Sequence, residues 1–444
     1  MKKIIYSIIL LVILPSCGDV PLQVAVKSVD LDAHSLTLKV GECDTLIATV
    51  LPMEALNRNV FWITDNKAVA EVSDGIVTAV SEGETIVTVK TEDGGFVASC
   101  SVLVLSDNMS NDGNVEYFFE WPANCHVVSK SGIYSFAAVK GNGDEQIEGV
   151  AWAEVLWESF STDKEPEVGD LIQYVKYDDG LISFKTADEF HEGNAVVAVK
   201  DYNDVILWSW HLWFVEDEIK SQDYAAGAGL VMDRNLGAVS SVPGEVGAIG
   251  LLYQWGRKDP FLGSSAIGES KPAVSTLSWP SSVTSSSITG TIDYAIQHPT
   301  TFISANQNND DWHYSGDSSS DDTRWMSTKT IYDPCPAGWR VPDGGYTGLW
   351  KTAGFADTTF DHVCEGVLFE YPFCKPSAWY PAGGYLHRSD GTLYYTGSCG
   401  YYWSVTSNNP QSGIVYYLYI YSKGVDPVDC QVRSYGFSVR CVKE

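Results

Sequence analysis

The chain has 444 residues, and 45% of them are apolar, which is enough to build more than one hydrophobic core. It carries 57 acidic residues against 28 basic ones, a net charge of −29 and an isoelectric point near 4.5. This charge argues against nucleic acid and anionic membrane surfaces as partners, because both are bound by basic patches. The abundance of Val, Thr, Tyr and Trp, with 39 Gly and 18 Pro, favours strands over helices.

The first residues have the pattern of an export signal. A positively charged start, MKK, precedes an apolar run over residues 4–14 that is shorter than the roughly 20 residues needed to span a bilayer. The run ends in LPSC, which resembles the lipobox of bacterial lipoproteins. That resemblance implies cleavage before Cys17 and acylation of its thiol, for example with palmitate. We expect residues 1–17 to be the signal and 18–27 a tether; the alternative is an ordinary secretory signal with a chance cysteine.

Residues 28–105 read as a series of short strands with alternating apolar side chains, separated by turn sequences such as DG and EDGG. The stretches SLTLKVGE, ATVLPMEA, VFWITDNKAVAEVSDGIVTAVSEGETIVTV and SCSVLV resemble the bacterial Ig-like domain of group 2. The resemblance implies a small β-sandwich that acts as a spacer or adhesion module. We expect a disulfide between Cys43 and Cys100, with two unpaired thiols as the alternative.

A polar linker is predicted at 106–114, followed by a second β-sandwich at 115–220. The sequence YDDG between two alternating runs predicts a hairpin. In the last strand, VILWSWHLWFVED, large side chains occupy both faces, which favours a strand buried on two sides over an aromatic ligand platform. His211 in this strand is interpreted as a hydrogen-bonded core histidine.

From residue 221 to 444 the strands shorten, the loops lengthen, and only 292–299 and 345–354 favour short helices. The motifs AGLVMDRNLGAV, GLLYQWGRKDPF, YDPCPAGWRVPD, YYWSVTS and GFSVRCVKE occur in this order. Together they resemble the Fibrobacter succinogenes major paralogous domain of Bacteroidetes surface lipoproteins, which is similar to C-type-lectin-like and formylglycine-generating-enzyme folds. The resemblance implies a mixed α/β domain with its terminal strands paired. The predicted fold class is mainly β and multi-domain: two Ig-like β-sandwiches followed by a mixed α/β C-type-lectin-like domain.

The ten cysteines of an exported protein are interpreted first as disulfides. Prolines on both sides of Cys335 favour a rigid bend, and no neighbouring basic residue is present to lower the pKa of its thiol. We expect a bond from Cys335 to Cys441, which lies in an alternating strand near the C-terminus; a free thiol, a nucleophile and a metal ligand are the alternatives. Further bonds are expected within the pairs Cys364–Cys374 and Cys399–Cys430, which leaves Cys125 over.

The oxygen-rich stretch 306–325 is the candidate metal site. Hard cations such as calcium take six to eight oxygen ligands, and calcium is the one candidate cofactor. The residues that would supply the ligands are Asp310, Asp311, Asp317, Asp321 and Asp322. The alternative is a solvated acidic loop, because the EF-hand pattern is absent.

Aromatic side chains in or beside loops give a second route to a ligand, since flat rings stack on the apolar face of a sugar. The candidate ligand-binding residues are Trp312, Trp325, Trp379 and Tyr380, within a wider group that includes Trp279, Tyr394, Tyr395, Tyr401, Tyr402 and Trp403. The alternative is that these rings fill the core of a domain poor in Leu and Ile.

No spacing of residues identifies a catalytic site, so we expect no enzymatic activity. The order of the parts predicts a lipoprotein of the outer membrane, facing the cell surface, that binds through its C-terminal lectin-like head. The expected role is adhesion, with a glycan or a host or cell-surface protein as partner. The alternatives are glycan capture for a polysaccharide uptake system, a structural fimbrial subunit and, least favoured, an enzyme of the formylglycine-generating type.

Overall fold

A computed structural model describes residues 24–81, 83–105, 115–305, 310–316, 320–356, 358–409 and 413–444. The predicted signal peptide, the lipidation site Cys17 and the linker 106–114 lie outside these residues. The chain divides into two compact units, Met1–Asp112 and Gly113–Glu444. In the part of the chain that the structure describes, no helix combines the length and the apolar character required to cross a membrane.

The first unit is an all-β sandwich. Its sheets have the strand orders β2-β9-β8-β5, β3-β7-β6 and β1-β4. The strands are β1 (Ser28–Leu31), β2 (Ser35–Lys39), β3 (Cys43–Thr45), β4 (Ala48–Leu51), β5 (Val60–Thr64), β6 (Ala70–Ser73), β7 (Ile76–Ala79), β8 (Gly83–Thr91) and β9 (Val97–Leu105). Strand alternation turns Val87 and Val89 of β8 inward, where they meet Val102 of β9 in one core.

The second unit begins with two four-stranded sheets in the orders β10-β12-β15-β14 and β11-β17-β16-β13. The strands are β10 (Glu116–Phe118), β11 (Cys125–Val128), β12 (Ile133–Ala137), β13 (Trp152–Ser159), β14 (Ile172–Asp178), β15 (Leu181–Thr186), β16 (Gly193–Lys200) and β17 (Ile206–Phe214). The predicted hairpin at YDDG joins β14 to β15, and Tyr177, its first residue, lies opposite Ile182.

The sheet that contains β17 is buried on both faces. Trp208, Trp210 and Leu212 pack into the core between the two sheets. Trp213 packs on the other face, into a core shared with the C-terminal region. The prediction of a two-sided buried strand is therefore confirmed. His211 is a core histidine as predicted, because its Nε2 lies 2.8 Å from Asn194 Oδ1.

The C-terminal region contains short strands and two short α-helices, α1 (Ile292–Gln297) and α2 (Leu349–Thr352), both within the ranges predicted to be helical. Three 3-10 turns lie at Ala225–Gly227, Val246–Ala248 and Gly345–Thr347. The strands are β18 (Ser221–Tyr224), β19 (Gly229–Met232), β20 (Leu252–Gln254), β21 (Val283–Thr284), β22 (Ile303–Ser304), β23 (Trp339–Arg340), β24 (Phe360–Asp361), β25 (Gly366–Phe369), β26 (Cys374–Lys375), β27 (Ala378–Pro381), β28 (Gly383–Leu386), β29 (Leu393–Thr396), β30 (Cys399–Asn409), β31 (Ile414–Tyr421), β32 (Gly424–Val432), β33 (Gly436–Ser438) and β34 (Val442–Lys443).

The largest sheet runs β20-β33-β28-β30-β31-β32, with β29 paired to β28. A second sheet, β23-β34-β19-β18-β26, joins the start of the region to its end, since Val231 of β19 is opposite Val442 of β34. Pairing of the terminal strands is what the lectin-like resemblance implies. The predicted boundary at 220/221 falls inside the second unit, where the segments on its two sides share a core.

Candidate functional site

Two neighbouring strands of the largest sheet place tyrosines on one face. Side chains two residues apart in a strand point to the same side, so Tyr417, Tyr419 and Tyr421 of β31 share a face. The antiparallel register sets Tyr401 of β30 directly opposite Tyr419. Strand β28 adds Tyr385, whose ring centroid lies 5.0 Å from that of Tyr401.

These rings continue into a contiguous surface. Its path runs Tyr421 to Tyr419 (4.8 Å between centroids), Tyr419 to Tyr401 (5.0 Å) and Tyr385 to Tyr395 (5.8 Å). Two further rings lie beside that of Tyr385: the centroid of Tyr435 is 5.3 Å away and that of Tyr394 is 6.2 Å away. We call this set the tyrosine surface; its members are Tyr385, Tyr394, Tyr395, Tyr401, Tyr419, Tyr421 and Tyr435.

The tyrosine surface continues on the same face of the sheet into a buried aromatic cluster that holds its inner rings in place. Trp403 and Phe437 stack at 4.1 Å in this cluster, and Tyr401 lies 4.8 Å from the Phe437 ring. The Trp403 indole donates to the backbone oxygen of Tyr253 at 2.8 Å, and the Tyr417 hydroxyl donates to Asp429 at 2.8 Å. The inner rings of the tyrosine surface, those of Tyr401 and Tyr419, are therefore presented by strands packed on a core.

The outer members are accessible. Tyr394 is 43% exposed and Tyr395 is 57% exposed, while the other members are half-buried. Burial, followed by the neighbouring phenols, raises the pKa of Tyr385 to about 12. Burial also raises the pKa values of Tyr401 and Tyr419 above the usual tyrosine range. At neutral pH this is an uncharged surface of ring faces and hydroxyl groups, which can stack on apolar ligand faces and exchange hydrogen bonds.

The four aromatic residues predicted to bind a ligand lie elsewhere, and that prediction is wrong. Trp312, Trp325, Trp379 and Tyr380 are all buried. The Trp312 indole donates to the backbone oxygen of Trp255 at 2.7 Å, and the Tyr380 hydroxyl lies 2.6 Å from that of Tyr224. Rings enclosed in the protein core have no free face for a sugar, so the core interpretation holds for them.

The predicted calcium site is also contradicted. Asp311 is buried and accepts a 2.5 Å hydrogen bond from Arg324, and Arg433 forms an ion pair with Asp322. Asp310 forms an ion pair with Arg388 at 2.6 Å, and the Asp321 carboxylate accepts a hydrogen bond from the Thr323 hydroxyl. Asp317 lies outside the described residues. Three of the carboxylates, those of Asp310, Asp311 and Asp322, are thus paired with arginines of the chain itself. The described residues contain no cluster of three or more His, Cys, Asp or Glu able to hold a metal.

The disulfide from Cys335 to Cys441 is confirmed, with Cα atoms 6.1 Å apart. The other predicted disulfides are wrong, because the six cysteines concerned are free: Cys43, Cys100, Cys364, Cys374, Cys399 and Cys430. Cys43 is exposed on β3 while Cys100 is buried on β9 of another sheet.

Register separates the cysteines of the last predicted pair. Strand β31 lies between β30 and β32, where Cys399 is opposite Tyr421 and Cys430 is opposite Tyr416. In the remaining pair, the Cys374 thiol donates to the backbone oxygen of Phe369, and Cys364 lies in the turn before β25.

Three members of the tyrosine surface, Tyr394, Tyr395 and Tyr401, are among the aromatic residues that the sequence predicts near a ligand, and the other four are not. The signal was the stretch YYLYIYS, where tyrosines recur at every second residue. Such alternation predicts one tyrosine face on a strand. The alternation does not identify the strands that lie beside this strand in the sheet.

The match to a known protein family lies in the first unit. Residues 25–102 match the family of the bacterial Ig-like domain (group 2), which confirms the Ig-like prediction for this segment of 78 among 444 residues. Kappa-carrageenase of Pseudoalteromonas carrageenovora is 43% identical over 82 residues, which is 18% of this chain and 21% of that enzyme. The shared part has the size of the Ig-like segment, and the chain spans about a fifth of that enzyme's length.

Solved structures show only distant similarity. Domains 4 and 5 of the S-layer protein SbsC are 22% identical, with a TM-score of 0.17, over 18% of this chain and 52% of that one. SGBP-B of the Bacteroides ovatus mixed-linkage glucan utilization locus was solved with a mixed-linkage heptasaccharide. It is 12% identical, with a TM-score of 0.14, over 41% of this chain and 42% of that one. Scores this low carry no argument about function.

Proposed function

We propose that the chain is a non-enzymatic surface lipoprotein that binds a glycan on the tyrosine surface of its C-terminal, lectin-like region. In this proposal Cys17 carries the lipid anchor in the outer membrane and the Ig-like domain acts as a spacer. Adhesion is the role favoured for the whole chain. Glycan capture for a polysaccharide uptake system is the alternative.

One observation carries the proposal: a contiguous row of tyrosine rings that packs at one side against a buried aromatic cluster and is partly open to solvent. The exposed rings of Tyr394 and Tyr395 offer stacking positions for sugar units, and the half-buried rings beside them extend the contact surface. Phenol hydroxyl groups add hydrogen bonds without a charge. An uncharged surface on a protein with a net charge of −29 suits a neutral glycan better than an acidic one.

The test is a glycan array probed with the mature chain, in which Cys17 is replaced by Ala, with and without calcium. We expect binding to neutral polysaccharides, unchanged by calcium because Asp311 and Asp322 of the predicted calcium site are paired with arginines. Replacing Tyr394 and Tyr395 together with Ala removes accessible rings with little effect on the core and should weaken binding about tenfold or more.

The matched control is Tyr202→Ala, because Tyr202 is 76% exposed and lies in the β16–β17 turn. Loss of binding in the control as well, or retention in the Tyr394/Tyr395 variant, would contradict the proposal. Growth that depends on the bound polysaccharide would favour capture, while attachment of cells without such growth would favour adhesion.

A further inference from the structure

A cleft of about 670 Å³ lies on the open side of the β-sandwich of the second unit. Strand β10 is at the edge of one sheet and β11 at the edge of the other. Residues of both segments line the cleft, among them Phe118 and the stretch 125–127. The other side of the cleft is formed by the C-terminal region, through Met232, Pro336, Ala337 and Trp339. The cleft thus lies between the edge strands and this region, and it has the volume of an ordinary ligand site.

The backbone of β11 is unpaired along this opening. Strand β11 runs parallel to β17, and the hydrogen bonds at its two ends use the backbone oxygens of Asn124 and Val128. Because successive residues of a strand turn their backbone groups to opposite sides, Cys125 and Val127 direct their N–H and C=O groups away from β17. Cys125 is 1% exposed, whereas Val127 is half-buried, so of these two residues Val127 is the one whose backbone groups a ligand can reach. An unpaired edge of this kind is a template for another strand.

A second, independent observation concerns His126, which lines the same cleft. Its side chain is 4% exposed and lies between the rings of Phe119 (4.6 Å) and Phe136 (4.3 Å). Within the described part of the chain, its Nε2 atom has no hydrogen-bond partner. Buried polar atoms nearly always have one, so this edge of the sandwich lacks a polar group.

The rim of the cleft defines the charge of its occupant. Four carboxylates line it against one lysine; these residues are Glu120, Glu216, Asp217, Glu218 and Lys130. Exposed aromatic side chains lie among them, with Trp121 71% and Phe118 59% exposed. The chain itself has 57 acidic and 28 basic residues, which makes a second copy a poor electrostatic match.

We propose that an extended, basic peptide segment of another protein adds to the free edge of β11 as a further strand. Its backbone pairs with the N–H and C=O groups of Val127, and its lysine or arginine side chains meet the acidic rim. A threonine or serine beside His126 supplies the missing partner of Nε2. This mode combines backbone pairing, which gives affinity, with side-chain contacts, which give specificity.

The first test uses the mature chain and a labelled peptide, acetyl-Lys-Val-Thr-Val-Thr-Val-Lys-amide, with binding followed by fluorescence anisotropy. Exchanging both lysines for glutamates should weaken binding about tenfold or more. N-methylation at the even-numbered or at the odd-numbered residues blocks one edge of the peptide at a time. We expect one of the two patterns to abolish binding; equal binding by both would overturn the proposal.

The second test changes the protein. Val127→Pro removes the outward N–H of the edge strand, a position where proline is tolerated, and Val127→Thr is the matched control that keeps it. We expect loss of peptide binding in the proline variant alone, and retained binding there would overturn the proposal. If the proline variant does not fold, amide hydrogen exchange of the wild type decides: peptide must slow exchange at Val127, and an unchanged rate there would overturn the proposal. Self-association that depends on Val127, with no peptide binding, would also overturn it in favour of a second copy.

Discussion

Replacing Cys335 and Cys441 together with Ala is expected to destabilise the second unit strongly. The bond joins residues 106 positions apart, and both cysteines are buried in one core. In the chain-entropy account, closing a loop of about 100 residues restricts the unfolded chain by ~4.7 kcal/mol. We expect a loss of about 3–5 kcal/mol in the free energy of unfolding, because removal of native disulfides usually costs amounts in this range.

Urea denaturation followed by tryptophan fluorescence isolates the effect. Trp62 is the only one of the 15 tryptophans before residue 113, so the signal reports the second unit. The unbridged unfolded chain exposes more surface, so the dependence of the free energy on urea should also become steeper.

The matched control is Cys125→Ala, which removes a free, buried thiol from the same core and should cost about 1 kcal/mol. If the double variant loses no more stability than this control, the disulfide does not restrain the unfolded chain and the reasoning is refuted.

Three further predictions concern buried polar groups of the second unit. Asp311→Asn leaves a buried guanidinium without its carboxylate and should cost about 3–5 kcal/mol by chemical denaturation, whereas Asp310→Asn, at a half-exposed ion pair, should change stability by less than about 1 kcal/mol. Burial lowers the pKa of His126 to about 3, so the unfolded state takes up a proton below about pH 6.5 that the folded state does not bind. As the pH falls from about 6.5 towards 3, the free energy of unfolding of the wild type should decrease by up to ~1.4 kcal/mol per pH unit relative to that of His126→Phe. Parallel profiles of the free energy of unfolding against pH would contradict this. Glu158 accepts hydrogen bonds from three backbone N–H groups, so Glu158→Gln should cost about 1–3 kcal/mol; an unchanged urea midpoint would show that these bonds contribute little.

The sequence predicted those features of the fold that depend on local pattern. The aromatic run of β17 indicated burial on both faces, and the structure has Trp208 and Trp213 in different cores. The prolines beside Cys335 indicated a structural bend, and its bond to Cys441 is present. The short helices lie in the predicted ranges because their flanking Gly and Pro residues limit them locally.

The acidic stretch could not be interpreted locally, because its partners are distant in sequence. Arg324 lies at the end of the same stretch and was a visible signal, but Arg433 comes more than a hundred residues after Asp322. The Arg433 guanidinium also lies 4.0 Å from the centre of the Trp255 ring. Asp311 and Asp322, which were assigned to an open loop, are thus paired with one arginine of the same stretch and one from a distant segment.

The order of the strands explains why neither the tyrosine surface nor the free edge of β11 could be predicted in full from the sequence. The alternation of Tyr417, Tyr419 and Tyr421 predicts a face, but the surface exists only because β30 and β28 lie beside β31. The free edge of β11 depends on order even more strongly, since it follows from a parallel pairing with β17, about 80 residues later in the chain. A residue pattern specifies which way side chains point, whereas neighbours and free edges are properties of the assembled sheet. Functional surfaces built between strands are for this reason the part of such a protein that its sequence predicts least.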